Sequence, residues 1–142
     1  MKVRDVMTTA VVEIAASETC QTAAKLMRDQ DVGILVVTTD GRVINGVITD
    51  RDLVVRCLAC GGDPSTKRIG DYMDRHPATV EGDLELERAV QIMRNACLRR
   101  LPVTVGGARV IGILSIDDVA SDVKRYIDGF LSVAGQYSRK AR

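Results

Sequence analysis

The sequence contains an internal duplication, and this constrains its fold more than any other feature. Val3–Met7 placed on Ile69–Met73 sets a register offset of 66 that holds without a gap to Asp52 and Asp118. Identical residues recur in this register, at Asp5/Asp71, Met7/Met73, Ala23/Ala89, Met27/Met93, Arg28/Arg94, Thr38/Thr104, Gly41/Gly107, Gly46/Gly112 and Asp52/Asp118. Because one small repeat leaves an apolar face uncovered, the two copies are expected to pack on each other.

The first copy has the pattern β-α-β-β-α. Val11–Ile14 predicts a short strand, and Ser17 is the expected cap of a helix with Cys20, Ala23, Ala24 and Met27 on its apolar face. The rest of the copy predicts a buried strand at 34–38, a turn at Asp40-Gly41, a strand at 43–48 and a helix that begins after Thr49 and runs to about Cys60.

The second copy predicts the same order: strand 78–80, helix 84–96, strand 100–105, a Gly106-Gly107 turn, strand 109–114 and a helix from Ile116. We therefore expect an α/β (α+β) fold of two repeats, 1–66 and 67–131, packed sheet to sheet about a pseudo-two-fold axis. The polar residues 132–142, with Arg139, Lys140 and Arg142, predict a loose C-terminal tail.

Composition excludes several functional classes. The 142 residues are 46% hydrophobic and carry a net charge of +1, which argues against a nucleic-acid-binding protein. No stretch approaches the roughly eighteen apolar residues of a membrane span, and no secretory signal is evident. The four cysteines are therefore expected to be reduced thiols of a cytoplasmic protein.

In both copies, a strand with a glycine near its end is followed by the same type of motif. Gly46 precedes Thr49-Asp50-Arg51-Asp52, and Gly112 precedes Ser115-Ile116-Asp117-Asp118. A hydroxyl at a helix start can donate to a phosphate, a carboxylate three residues later can accept from ribose hydroxyls, and the glycine would let a ligand approach. The alternative is a capping box that only satisfies the helix.

The duplicated β-α-β-β-α unit closed by Thr/Ser-x-x-Asp resembles a tandem CBS-domain pair, or Bateman module, of the stand-alone bacterial type. The resemblance covers residues 1 to about 131 and is strongest over Gly46–Leu53. It implies non-catalytic, regulatory binding of adenine nucleotides in clefts between the repeats. The implied ligands are AMP, ADP or ATP, with NAD or S-adenosylmethionine as further candidates.

The resemblance also implies the residues of two clefts. Cleft A would be formed by Thr49, Asp52, His76, Ala78, Val80, Arg99 and Arg100. Cleft B would be formed by Ser115, Asp118, Val12, Gly33 and Ile34. Each cleft takes its hydroxyl and aspartate from one repeat and its base pocket from the other.

The two clefts differ in charge. Arg99 and Arg100 in cleft A occupy the repeat positions of Gly33 and Ile34, and Asp117 adds negative charge to cleft B. One such charge at a partly buried site is worth on the order of a few kcal/mol, so phosphate-bearing ligands are expected to prefer cleft A. The alternative is that both arginines pair with acidic neighbours on the surface.

Other chemistry has weaker support in the sequence. Cys57-x-x-Cys60 could join His76 or Cys97 around a metal, but a helix would also place the two thiols as small apolar groups, and no metal site is predicted. No nucleophile accompanies His76, so no catalytic residues and no enzyme activity are expected.

The sequence therefore predicts a nucleotide-sensing module that forms a homodimer and regulates a protein that the sequence does not identify. The apolar face that ends at Phe130 and Leu131 could form the dimer contact. The competing hypothesis is a scaffold of the same fold that docks another protein and binds no nucleotide.

Overall fold

The computed structural model describes the backbone of residues 1–140 and the side chains of residues 1–132. Within it, strands and helices follow the repeated order expected from the sequence, which confirms the α/β fold class. The elements are α1 Val3–Val6, β1 Glu13–Ile14, α2 Cys20–Gln30, β2 Ile34–Thr39, β3 Val43–Thr49, α3 Asp50–Asp52 with its π-helical continuation Leu53–Leu58, β4 Val80–Glu81, α4 Leu86–Ala96, β5 Arg100–Val105, β6 Arg109–Ser115 and α5 Ile116–Lys140.

The strands form a sheet in the order β1-β2-β3-β6-β5-β4. In each half the first strand is parallel to the second, and the second and third form an antiparallel hairpin. The halves meet where Val43 of β3 pairs with Arg109 of β6. This pair joins the sheets of the two halves at one edge. A small apolar cluster of Val36, Val110 and Ile113 packs between the halves.

Each half has its own hydrophobic core, built from equivalent residues. In the first half, α2 and the hairpin bury one set of side chains: Cys20, Ala23, Met27, Leu35, Val37 and Ile48. The second half buries the residues 66 positions later: Leu86, Ala89, Met93, Leu101, Val103 and Leu114. Burial of a large apolar side chain contributes about 1.5–3 kcal/mol, so these layers dominate the stability of each half.

The segment that begins each repeat packs on the other half. Val3 is fully buried in the core of the second half, whereas Ile69 and Met73 are buried in the core of the first. The backbone of Asp74 exchanges two hydrogen bonds with Val47, of 3.0 and 2.9 Å. Thr8 makes the matching pair with Ile113, at 2.9 Å each. The boundary of the repeats in sequence is therefore not their boundary in space.

These crossings explain the duplicated glycines. A Cβ on Gly46 would lie 2.3 Å from the Asp74 carbonyl oxygen, and a Cβ on Gly112 would lie 2.8 Å from that of Thr8. The glycines admit the crossing backbone, so the expectation that they let a ligand approach the strand was wrong.

Several local predictions need correction. Thr19, not Ser17, caps α2, because its Oγ1 accepts from the Thr22 amide at 3.1 Å. Ala24 is exposed rather than part of the apolar face. Within residues 1–140, no helix is both long and apolar enough to cross a membrane.

The helices that close the two halves also differ from prediction. The helix after Thr49 is π-helical over Leu53–Leu58, with the Ala59 amide bonded to the Val54 carbonyl. Helix α5 continues to Lys140 instead of ending near Ser132, because no proline interrupts its propagation. The expected loose tail is thus helical up to Lys140, and Arg142 lies outside the described residues.

Candidate functional site

Two cavities lie between the two halves of the molecule. The larger of the two has a volume of about 650 Å³. This is within the range of small-molecule sites, roughly 300–1,000 Å³. Both repeats line it, with Ile34, Val47, Thr49, Asp50, Arg51, Asp52 and Arg56 from the first and Asp74, Pro77, Ala78, Cys97, Leu98, Arg99, Arg100 and Pro102 from the second. It corresponds to cleft A of the sequence analysis.

Thr49 and Asp52 form a capping box at the start of α3. The Thr49 amide donates to Oδ2 of Asp52 at 2.9 Å, and the Asp52 amide donates to Oγ1 of Thr49 at 3.1 Å. The capping interpretation is thus correct for this motif, but it leaves groups available. Among the described residues, the Thr49 hydroxyl donates no hydrogen bond, and Oδ1 of Asp52 faces only Arg56, at 3.9 Å.

The larger cavity contains four arginines and three aspartates. Arg56 donates to the Tyr72 carbonyl oxygen at 2.9 Å and is held in place. None of the ion pairs between described side chains includes Arg99 or Arg100, so the surface pairing considered for them is not present there. Arg99 and Arg100 therefore remain available to an anionic group at this cavity.

Two predicted residues are not in the larger cavity. Val80 is only 3% exposed and packs in the core of the second half. His76 is exposed outside the lining, and its amide donates to Oδ1 of Asp74 at 3.0 Å. The family resemblance implies both residues for cleft A, but β4 consists only of Val80 and Glu81, and Val80 faces the core.

Other lining residues were missed by the sequence analysis. Asp50 and Arg51 lie within the quoted motif and could have been included from their position alone. Asp74 reaches the cavity because its segment crosses onto β3, and no local sequence pattern signals that crossing. Cys97 lines the cavity as the left-handed residue that ends α4, with φ of 53°.

The smaller cavity has a volume of about 250 Å³ and corresponds to cleft B. The structure brings all five predicted residues together here, with additional neighbours; the lining is Thr8, Ala10, Val12, Asp31, Val32, Gly33, Ile34, Val36, Arg100, Ile113, Ser115 and Asp118. Asp117 is not in this lining, and the second carboxylate is Asp31 instead. Arg100, which the resemblance assigns to cleft A alone, lines both cavities.

The hydroxyl of the second motif is engaged within its own capping box. Ser115 donates to Oδ2 of Asp118 through its hydroxyl at 2.6 Å and through its amide at 3.1 Å. The Asp118 amide in turn donates to Oγ of Ser115 at 3.0 Å. A ligand that accepts a hydrogen bond from the Ser115 hydroxyl would have to break the hydroxyl–carboxylate bond, which has no counterpart among the described contacts of the larger cavity.

The cysteines fall into two groups. Cys20 and Cys57 are buried together in the first core, whereas Cys60 and Cys97 are exposed. Burial, followed by the adjacent Cys57, raises the pKa of the Cys20 thiol to about 11. Among the described residues, no group of three or more His, Cys, Asp or Glu side chains is arranged around a metal position.

The sequence matches the CBS domain family twice, over residues 3–58 and 69–125. Hypoxic response protein 1 of Mycobacterium tuberculosis is 32% identical over 117 residues, which cover 82% of this chain and 81% of that protein. The chain is a member of the CBS domain family and contains a tandem pair of these domains.

Solved structures share the architecture. A crystal structure of hypoxic response protein I with two coordinated zinc ions aligns with a TM-score of 0.77 at 31% identity, over 85% of this chain and 98% of that one. The CBS domain pair of protein MJ0100, in complex with 5′-methylthioadenosine and S-adenosyl-L-methionine, aligns with a TM-score of 0.76 at 22% identity, over 91% of this chain and 97% of that one. At this identity, the likeness to MJ0100 concerns the fold alone.

Proposed function

We propose that the chain is a regulatory binding module without catalytic activity, which takes AMP, ADP or ATP in the larger cavity. The observation that carries this proposal is the combination, around one cavity of suitable volume, of a hydroxyl that donates to no described residue, a carboxylate oxygen that accepts no hydrogen bond, and arginines outside any ion pair. The fold itself is compatible with adenosyl ligands, since the CBS pair of MJ0100 holds two of them.

Each group has a definite chemical role in this proposal. Arg99 and Arg100 supply charged donors to phosphate oxygens, which a guanidinium can contact in a bidentate manner. The Thr49 hydroxyl donates to the same phosphate, and Oδ1 of Asp52 accepts from the ribose hydroxyls. Apolar side chains such as Ile34, Val47 and Pro102 provide a surface for the adenine ring.

The ligand would act by joining the two halves. Thr49 and Asp52 belong to the first repeat and Arg99 to the second, so one bound nucleotide contacts both. A ligand that binds one arrangement of the halves better shifts the population towards it by that difference in affinity. The regulated protein would respond to this change.

The direct test is calorimetric titration of the whole chain with AMP and ATP, and with NAD and S-adenosylmethionine as alternatives. Asp52→Ala should weaken AMP binding by about tenfold or more, because it removes a charged acceptor. The matched Asp118→Ala variant removes the equivalent residue of the other repeat and should leave the tight site intact. Loss of binding only in Asp118→Ala would contradict the assignment of the larger cavity.

We also propose that the chain forms a homodimer through α5. Val123, Tyr126, Ile127, Phe130 and Leu131 are 49–77% exposed on this helix, which leaves an apolar face without a partner in the monomer. Analytical ultracentrifugation should show a dimer, and Phe130→Asp should convert it to monomer. A monomeric wild-type chain would contradict this arrangement.

The same apolar face favours a second candidate function, a protein-docking scaffold that binds no nucleotide. In that case Asp52→Ala would lower stability through loss of the cap, and no nucleotide would bind to any variant. A cytoplasmic, reducing compartment is consistent with either function, because all four cysteines are free thiols.

A further inference from the structure

Arg100 occupies a special position between the two cavities. Its equivalent in the first repeat is Ile34, and both residues line the larger and the smaller cavity. Of the two, only Arg100 carries a charge. The boundary between the cavities therefore has a cation on one side and an apolar side chain at the matching place on the other.

The backbone and side chain of Arg100 reach different halves. Its backbone pairs with Ser115, which belongs to the smaller cavity. Its Nη1 atom lies 3.6 Å from the point that a Cβ on Gly33 would occupy, and Oδ2 of Asp50, a residue of the larger cavity, lies 3.1 Å from the same point. The guanidinium thus lies across the boundary between the halves.

The two cavities depend on Arg100 to different degrees. It is the only cation among the described residues that line the smaller cavity, where Asp31 and Asp118 are the anions. The larger cavity has Arg51, Arg56 and Arg99 in addition. An anionic group in the smaller cavity would therefore lose its single favourable charge if Arg100 turned towards a ligand in the larger one.

We infer that Arg100 is shared by the two cavities and serves one phosphate at a time. A phosphate bound in one cavity then weakens the binding of a phosphate in the other. A guanidinium presents its donors in one fixed plane, so a bidentate contact on one side withdraws those donors from the other. This inference rests on the proposed function and adds a coupling between the two sites.

The test uses variants that isolate each cavity, titrated with AMP and with adenosine, which lacks the phosphate. Asp118→Ala impairs the smaller cavity, so AMP binding to this variant reports on the larger one. Asp52→Ala impairs the larger cavity, so binding to it reports on the smaller one. Adding Arg100→Ala should weaken AMP binding by about tenfold in both backgrounds and leave adenosine binding unchanged. Adding Arg99→Ala, the matched control, should weaken AMP binding only in the Asp118→Ala background, because Arg99 lines only the larger cavity.

Coupling is measured in the wild-type chain. AMP should bind to the smaller cavity several-fold more weakly than it does in Asp52→Ala, where the larger cavity is impaired, and adenosine should show no such difference. Arg100→Lys, which keeps the charge but loses the bidentate donors, should recover only part of the AMP affinity that is lost in Arg100→Ala. The thermal midpoint of each variant verifies that it is folded.

The outcomes separate the inference from the proposed function. Three results would refute sharing while the nucleotide site stands. These are an effect of Arg100→Ala on AMP binding in only one cavity, no AMP binding by Asp52→Ala, and two AMP binding events in the wild-type chain that do not affect each other. If the wild-type chain binds no AMP, sharing is refuted, and if it binds none of AMP, ADP and ATP, the proposed function is refuted as well.

Discussion

The two halves of the molecule use equivalent elements to build unequal cavities. Thr49 and Ser115 precede α3 and α5, and each accepts a hydrogen bond from the equivalent aspartate amide in a capping box. The residues at the start of β2 and β5 differ, because Ile34 is replaced by Arg100 at the equivalent place. The two halves thus share the residues that fold them and differ in residues that line the cavities.

The difference extends to the hydroxyls. Ser115 donates its hydroxyl proton to Asp118, whereas within the described residues Thr49 donates to no acceptor. The two motifs differ only conservatively at this position, with threonine in one and serine in the other. Even so, the Thr49 hydroxyl is free to donate and the Ser115 hydroxyl is not. Similarity of motif does not imply similarity of site.

The largest effect that tests this comparison concerns the crossing segments. Gly46→Ala should lower the free energy of unfolding by about 3 kcal/mol, because its Cβ would lie 2.3 Å from a backbone oxygen. Gly112→Ala should cost less, about 1–2 kcal/mol, because its Cβ would lie 2.8 Å rather than 2.3 Å from the crossing carbonyl oxygen, and its other close neighbour, at 2.5 Å, is the flexible Met7 side chain. Urea unfolding of both variants measures the difference, and equal losses would contradict it.

A smaller effect distinguishes the two cores by pH. The first core contains Cys20, with a pKa raised from 9.0 to about 11, where the second core contains Leu86. Between pH 9 and 11 the unfolded chain releases this proton before the folded one, so stability should fall with rising pH, by on the order of 2 kcal/mol.

Urea unfolding at pH 8, 9, 10 and 11 follows this loss. Cys20→Ala should remove most of it, whereas the exposed Cys97→Ala should retain it. A pH dependence that is unchanged by Cys20→Ala would show that the thiol is not its source.

The smallest effect concerns the helix caps of the two halves. Thr19→Ala should cost about 1 kcal/mol, because it removes the side-chain acceptor for the Thr22 amide. Ser17→Ala should change stability by less than about 0.5 kcal/mol. In the second half, no side-chain bond caps α4 at Glu85, whose carboxylate pairs with Lys2 instead. A loss in Thr19→Ala no larger than that in Ser17→Ala would contradict the difference in capping.

Much of the fold was predictable from the sequence. The hairpin strands β2, β3, β5 and β6 agree with prediction to within a residue, because continuous β-branched runs bounded by glycine turns are strong local signals. The pairing of Thr49 with Asp52, and of each motif with the opposite repeat, also followed from the register of the duplication and the family resemblance.

The remaining features depend on contacts between distant segments. The crossing of residues 1–8 and 67–74 onto the opposite halves has no local signal, and it accounts for the misinterpreted glycines and for the missed Asp74. The assignment of Arg100 to one cleft failed for a related reason. A residue next to the pseudo-two-fold axis faces both sides, and a repeat alignment assigns it to only one.

The central claim, that the larger cavity holds the nucleotide, can be tested most directly at Cys97. This exposed thiol lines the larger cavity, whereas the equally free and exposed Cys60 does not, so Cys60 is an internal control. The rates of iodoacetamide alkylation at both residues can be followed by mass spectrometry with and without AMP. We predict that AMP slows alkylation at Cys97 and leaves Cys60 unchanged; equal rates at Cys97 with and without AMP would contradict the account.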